Sequence, residues 1–186
     1  LVGSATKNVT YGLEYGTLPT AARAGYTFEG WYTAEGTQVY DKNGKCVNGT
    51  GYWNNNNWCK DLGVDGSSMT VYAHWTANEY TITYHGNTDT LDTASNVPSA
   101  LKYTYSEDDT VDLSNKKPSR SGYTFLGWSK DSGASSASYA PGAQIGKEPN
   151  NIDLYAIWSI NSYKQTNNFY KEKNGTWVRF GNAVVH

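Results

Sequence analysis

Gly25-Tyr26-Thr27-Phe28-Glu29-Gly30-Trp31 returns 97 positions later as Gly122-Tyr123-Thr124-Phe125-Leu126-Gly127-Trp128. A second block follows in the same order. Val71-Tyr72-Ala73-His74-Trp75 returns 83 positions later as Leu154-Tyr155-Ala156-Ile157-Trp158. Two separated blocks that recur in order define an internal repeat, and a repeat constrains the fold before any single motif does. The 14-residue difference in spacing places an insertion between the blocks of the first copy, read as a hairpin over residues 44–61.

Each block has the two-residue period of a half-buried strand. Tyr26 and Phe28 share one face, Thr27 and Glu29 the other. Val71, Ala73 and Trp75 alternate with Thr70, Tyr72 and His74. Tyr80-Thr81-Ile82-Thr83-Tyr84 alternates most cleanly, with aromatic and β-branched residues that suit a pleated surface. Gly25 and Gly122 predict turns with positive φ. Gly30 and Gly127 predict a bulge or a close backbone approach. No window has capped helical spacing; only 92–103 has room for a short helical turn. Asn174-Gly175 between two strand-like runs predicts a C-terminal β-hairpin.

Composition agrees with short strands joined by polar turns. Leu, Ile, Val and Phe number only 29 of 186 residues, while Ser, Thr and Asn number 54. That aliphatic share lies below the roughly 20% at which disorder is suspected. Sixteen Tyr and seven Trp make up the deficit, since each buries about 150–250 Å². The expected core is therefore aromatic: Tyr26, Phe28, Trp31, Tyr72 and Trp75 in the first copy, and Tyr123, Phe125, Trp128, Tyr155 and Trp158 in the second.

The same arithmetic excludes several functions. A net charge of −2 with no basic cluster leaves no nucleic-acid surface. No run approaches the roughly 20 apolar residues of a membrane span, so no membrane insertion is expected in this segment. No export signal opens the chain. The three histidines and two cysteines are too scattered to form a zinc site, and no metal or cofactor is expected. No nucleophile, metalloprotease or phosphate-loop motif appears, and no catalytic residue is assigned. Glu107, Asp108 and Asp109 lack calcium-loop spacing and read as a solvated turn.

The blocks resemble the Listeria–Bacteroides repeat, the B-repeat family of internalin-type surface proteins. Besides GYTF-x-GW and YA-x-W, the stretch from Val9 to Thr20 is similar to the family's region ahead of GYTF, and Tyr80–Tyr84 to its opening strand. The resemblance implies a mainly β, small α+β fold: two tandem β-grasp-like modules over 1–76 and 79–158, with a linker and hairpin over 159–186. Residues 1–7 are the place for a remnant of the first opening strand. The resemblance implies no enzyme. It points to a non-enzymatic extracellular segment of a bacterial surface protein, acting as a spacer or in adhesion, whose partner would be a protein or glycan on a host or bacterial surface.

Two further readings stay open. Tyr52, Trp53 and Trp58 of the insertion, with the Asn54–Asn57 run, form either a stacking platform for sugar rings or a plug for the module's own core, with the asparagines as a turn. A structural part of a phage virion, in a tail or head fibre, suits the terminal hairpin. Cys46 and Cys59 predict a disulfide in an oxidising compartment, worth about 3 kcal/mol for a loop of this length; two free thiols are the alternative.

Overall fold

The computed structural model describes residues 6–18 and 20–185, and the regular structure of these residues is β throughout. In chain order the strands are β1 (Tyr26–Tyr32), β2 (Gln38–Asp41), β3 (Trp53–Asn54), β4 (Asn57–Trp58), β5 (Tyr72–Ala77), β6 (Glu79–His85) and β7 (Leu101–Thr104), followed by β8 (Thr110–Asp112), β9 (Tyr123–Ser129), β10 (Gln144–Gly146), β11 (Ile152–Ile160), β12 (Gln165–Lys173) and β13 (Thr176–Val185). They form sheets ordered β2-β1-β5, β7-β6-β11-β9, β10-β8, β3-β4 and β12-β13. The chain divides into two compact units, residues 1–83 with 100–113 and 144–153, and residues 84–99 with 114–143 and 154–186.

In the first unit the repeated blocks pair with each other. β1 runs antiparallel to β5 from Tyr26↔Ala77 to Tyr32↔Tyr72, with a register shift between Phe28 and Gly30. Gly30 has φ 135°, and a Cβ there would stand 2.3 Å from the Tyr40 carbonyl oxygen. The expected bulge and the expected close approach are thus one feature. In the second unit β9 pairs with β11 from Ser129↔Tyr155 to Tyr123↔Ile160, with the shift between Ile157 and Trp158. Gly127 has φ 141°, and a Cβ there would meet the Tyr139 carbonyl at 2.6 Å.

The cores are aromatic, with a membership that differs from expectation. Phe28 and Trp128 are buried, whereas Tyr26, Trp31, Trp75, Tyr123, Phe125, Tyr155 and Trp158 are half-buried. Tyr72 is 51% exposed. It lies on the opposite face of β5 from Val71, Ala73 and Trp75, and the strand's alternation turns it to solvent. Trp128 packs edge-on against Tyr84 and Phe125 at 4.9 and 5.1 Å, beside buried Leu154 and Ala156. Trp31, the counterpart of Trp128, packs instead against a cluster of Val39, Tyr40, Trp53 and Trp58. Insertion residues thus help to form the first unit's core.

The segment 92–103 contains no helical turn. Asn96 has φ 56°, which breaks right-handed helix, and residues from Leu101 onward join β7. The C-terminal hairpin is present: β12 and β13 close through Lys173↔Thr176, with Asn174 and Gly175 at φ 55° and 74°. That is the mirror-image turn that asparagine and glycine favour. Residues 1–5, where most of the proposed remnant strand falls, lie outside the described residues.

Candidate functional site

The insertion was the sequence's one candidate ligand site, and its side chains separate. β3 and β4 pair as Trp53↔Trp58 and Asn54↔Asn57, with Asn55 and Asn56 at φ 51° and 67° in a two-residue turn. This register places both indoles on one face. That face is turned inward, leaving Trp53 and Trp58 only 1% and 5% exposed. Trp53 lies 5.0 Å from the Tyr40 ring, 5.4 Å from Tyr15 and 4.9 Å from Trp58. A sugar platform needs open ring faces, and these two rings have none, so the plug reading describes them.

Tyr52 is half-buried. It lines an open groove of about 330 Å³ with Glu35, Lys60, Leu62, Met69 and Tyr72, its ring 5.6 Å from the Lys60 ammonium. Burial pushes the phenols of Tyr15 and Tyr40 upward, in keeping with a packing role.

Cys46 and Cys59 are free thiols, both half-buried, so the expected disulfide is not formed. The reason is register. Cys59 donates its amide to the Tyr52 carbonyl, and Cys46 bridges to Tyr40. Backbone pairing thus sets Cys46 against Tyr40 and Cys59 against Tyr52. Burial raises the Cys46 thiol pKa, while its backbone hydrogen bond and Lys7 act against that rise. Among the described residues no group of three His, Cys, Asp or Glu side chains could hold a metal ion.

A denser polar constellation sits where the first repeat passes into the second, and all of it lies in the first unit. Only Asn78 separates β5 from β6. Its amide donates to the Gly25 carbonyl at 2.9 Å, and its own carbonyl accepts the Tyr105 amide at 2.9 Å. The Thr27 hydroxyl donates to the Asn78 side-chain oxygen at 2.6 Å, and Asn78 Nδ2 reaches the Tyr80 hydroxyl at 3.4 Å. The connection is therefore stitched on both sides and has no free linker residue.

Side chains close over this backbone. Gly25 has φ 80° and is buried; a Cβ there would lie 2.1 Å from Tyr105 Cδ1. The Tyr105 ring meets Tyr26 edge-on at 5.4 Å and Tyr80 at 6.4 Å. The Arg23 guanidinium lies over the Tyr26 ring at 3.9 Å, a cation–π arrangement. Arg23 also donates to Glu107 through Nη2 at 3.0 Å and Nε at 3.4 Å. Glu107 thus has a specific partner, and the hydrogen bond raises the arginine pKa further. Asp109 of the same acidic run pairs with Lys147 at 2.6 Å, which lowers the carboxyl pKa.

Sequence reasoning assigned no contact to Arg23, Asn78 or Tyr105. Arg23 and Asn78 had a detectable signal: Arg23-Ala24-Gly25-Tyr26-Thr27 matches Arg120-Ser121-Gly122-Tyr123-Thr124, and Asn78-Glu79-Tyr80 matches Asn161-Ser162-Tyr163. Tyr105 had none, because its role depends on a contact 80 residues away in sequence.

The model of the Listeria–Bacteroides repeat domain matches residues 3–51 and 80–157, well over half of the chain. Two proteins of Evansella cellulosilytica are similar. One, named "Putative membrane protein", is 29% identical over 157 residues, covering 81% of this chain and 20% of the relative. The other, named "Putative Gly-rich membrane protein", is 30% identical over 182 residues, covering 88% of this chain and 18% of the relative. The chain thus spans about a fifth of the length of these curated relatives. No solved structure matches it. With two matched segments, each holding the recurring GYTF-x-GW block or its continuation, the chain belongs to the Listeria–Bacteroides repeat domain family.

Proposed function

We propose that this chain is a non-enzymatic extracellular repeat segment of a bacterial surface protein, serving as a spacer that carries other domains away from the cell envelope. The observation that carries this reading is the junction at Asn78: the repeats follow one another without a free residue, and both backbone groups of the connecting residue are hydrogen-bonded. A spacer transmits position only if its joints resist bending, and stitched backbone with packed rings supplies that resistance. The family membership and the names of the two longer relatives, each called a membrane protein, support placement at the envelope. On this reading the modules run over 1–76 and 79–158 as variants of a β-grasp-like sheet, and 159–186 forms a tail.

Protease shaving of intact cells tests the placement. The segment should be released from whole cells expressing the parent protein, while a cytosolic marker stays inside. Recovery of the segment only after lysis would refute an extracellular spacer.

A further inference from the structure

The second repeat carries the junction's constellation again, in the second unit. Asn161 donates its amide to the Gly122 carbonyl at 2.8 Å, and the Thr124 hydroxyl donates to the Asn161 side-chain oxygen at 2.6 Å. Asn161 Nδ2 reaches the Tyr163 hydroxyl at 3.4 Å, and Arg120 lies over the Tyr123 ring at 3.8 Å. Each contact matches one around Asn78 to within 0.1 Å.

The difference lies in what covers it. Gly25 is buried beneath Tyr105. Gly122 is exposed at φ 76°, and among the described residues nothing lies within 4 Å of where its Cβ would stand. Tyr80 is half-buried beside Tyr105, whereas Tyr163 is 78% exposed. The hairpin that follows starts at a different distance from its asparagine. The β6–β7 ladder begins at Glu79↔Thr104, one residue from Asn78, but the β12–β13 ladder begins at Gln165↔Val185, four residues from Asn161.

We propose that Gly122, Tyr123, Asn161 and Tyr163 form a docking socket for a further repeat module of this kind. An aromatic side chain of that module lies over Gly122, and the same residue's backbone N–H pairs with the Asn161 carbonyl. The site is already organised by its own hydrogen bonds, so filling it requires little reordering on this side. The charges refine the partner. Arg23 takes its acid from the incoming segment, as Glu107, whereas Arg120 already has Asp92 and, at 3.5 Å, Asp89 of its own unit. The incoming segment therefore needs the aromatic residue but no acid. A second copy of this chain is a poor occupant, because its Tyr105 already sits on its own Gly25.

This proposal rests on the chain being part of a repeat array. Its test is independent of cell placement, so peptide docking by a chain that shaving fails to release would separate the two claims. The probe is a synthetic peptide of residues 100–109, the segment that fills the first socket, titrated into the ¹⁵N-labelled full chain. Saturable shifts are expected at Gly122, Thr124 and Asn161, with a Kd on the order of 1 mM, while Gly25 stays unmoved. The peptide carrying Tyr105→Ala should bind about tenfold more weakly, and the exposed substitution Tyr163→Ala in the chain should weaken binding without unfolding it. No saturable shift at Gly122, or equal shifts with the alanine peptide, would overturn the proposal. So would concentration-dependent self-association centred on Gly122 without peptide, which would make a second copy the occupant.

Discussion

Gly25 and Gly122 offer a matched experiment within one chain. Both begin a GYTF block, with φ 80° and 76°. Alanine in this left-handed region costs roughly 1–2 kcal/mol at either site from backbone strain. At Gly122 nothing else is added, since the space around it is open among the described residues. At Gly25 the new Cβ would stand 2.1 Å from Tyr105 Cδ1 and 2.3 Å from Cε1, so the ring has to leave. Displacing a packed side chain adds about 1–3 kcal/mol. It also strips the edge contacts to Tyr26 and Tyr80. Gly25→Ala should therefore cost about 1–3 kcal/mol more than Gly122→Ala. Urea unfolding followed by amide exchange, read separately for β1–β5 and β9–β11, would give the two losses side by side. Equal losses would mean that Tyr105 contributes nothing at Gly25, and the account of the junction would fail.

Three other outcomes follow from the same structure. Trp53→Ala should destabilise the β2-β1-β5 region by about 3–5 kcal/mol in urea titration; Trp53→Phe should cost less, because it keeps a ring and removes an indole N–H that has no partner among the described residues. The carboxyls of Asp92 and Asp109 are held below the ordinary range by Arg120 and Lys147. Their stabilisation is present above the unfolded value of about 3.9 and is lost as pH falls through the lower folded values. Asp92→Asn and Asp109→Asn should therefore flatten the stability decline measured below about pH 4. Finally, unreduced protein unfolded in guanidinium should show two reactive thiols, and in the native state Cys46 should alkylate more slowly than it does when unfolded, because burial disfavours its thiolate.

The repeated strands, the roles of Gly30 and Gly127, and the terminal hairpin were all legible, because each depends on local periodicity or on a backbone conformation that few residues adopt. Within the insertion read over 44–61, only Trp53–Asn54 and Asn57–Trp58 pair as a hairpin, because Cys46 bridges back to Tyr40, and sequence alone left the hairpin's inward or outward direction open. The aromatic plug in the first unit answers that question: Trp31 packs against the cluster that Trp53 and Trp58 form with Val39 and Tyr40, where Trp128 in the second unit has Tyr84. Tyr72 was misassigned to the core although its own alternation with Val71 and Ala73 placed it outside. The cysteines misled because proximity in sequence was taken as opposition in space, and a two-residue turn at Asn55–Asn56 sets Tyr52 against Cys59 instead. The junction depends on Tyr105 meeting Gly25, and no local pattern announces a pairing at that separation.

Amide hydrogen exchange at Asn78 and Tyr105 tests the stitched junction most directly. Their amides donate to Gly25 and Asn78 carbonyls at 2.9 Å, beneath packed rings. The account predicts that both exchange as slowly as the paired amides of β1 and β5, and that the Asn78 amide loses its protection in Gly25→Ala. Exchange of Asn78 at the rate of an open linker in the unmodified chain would contradict it.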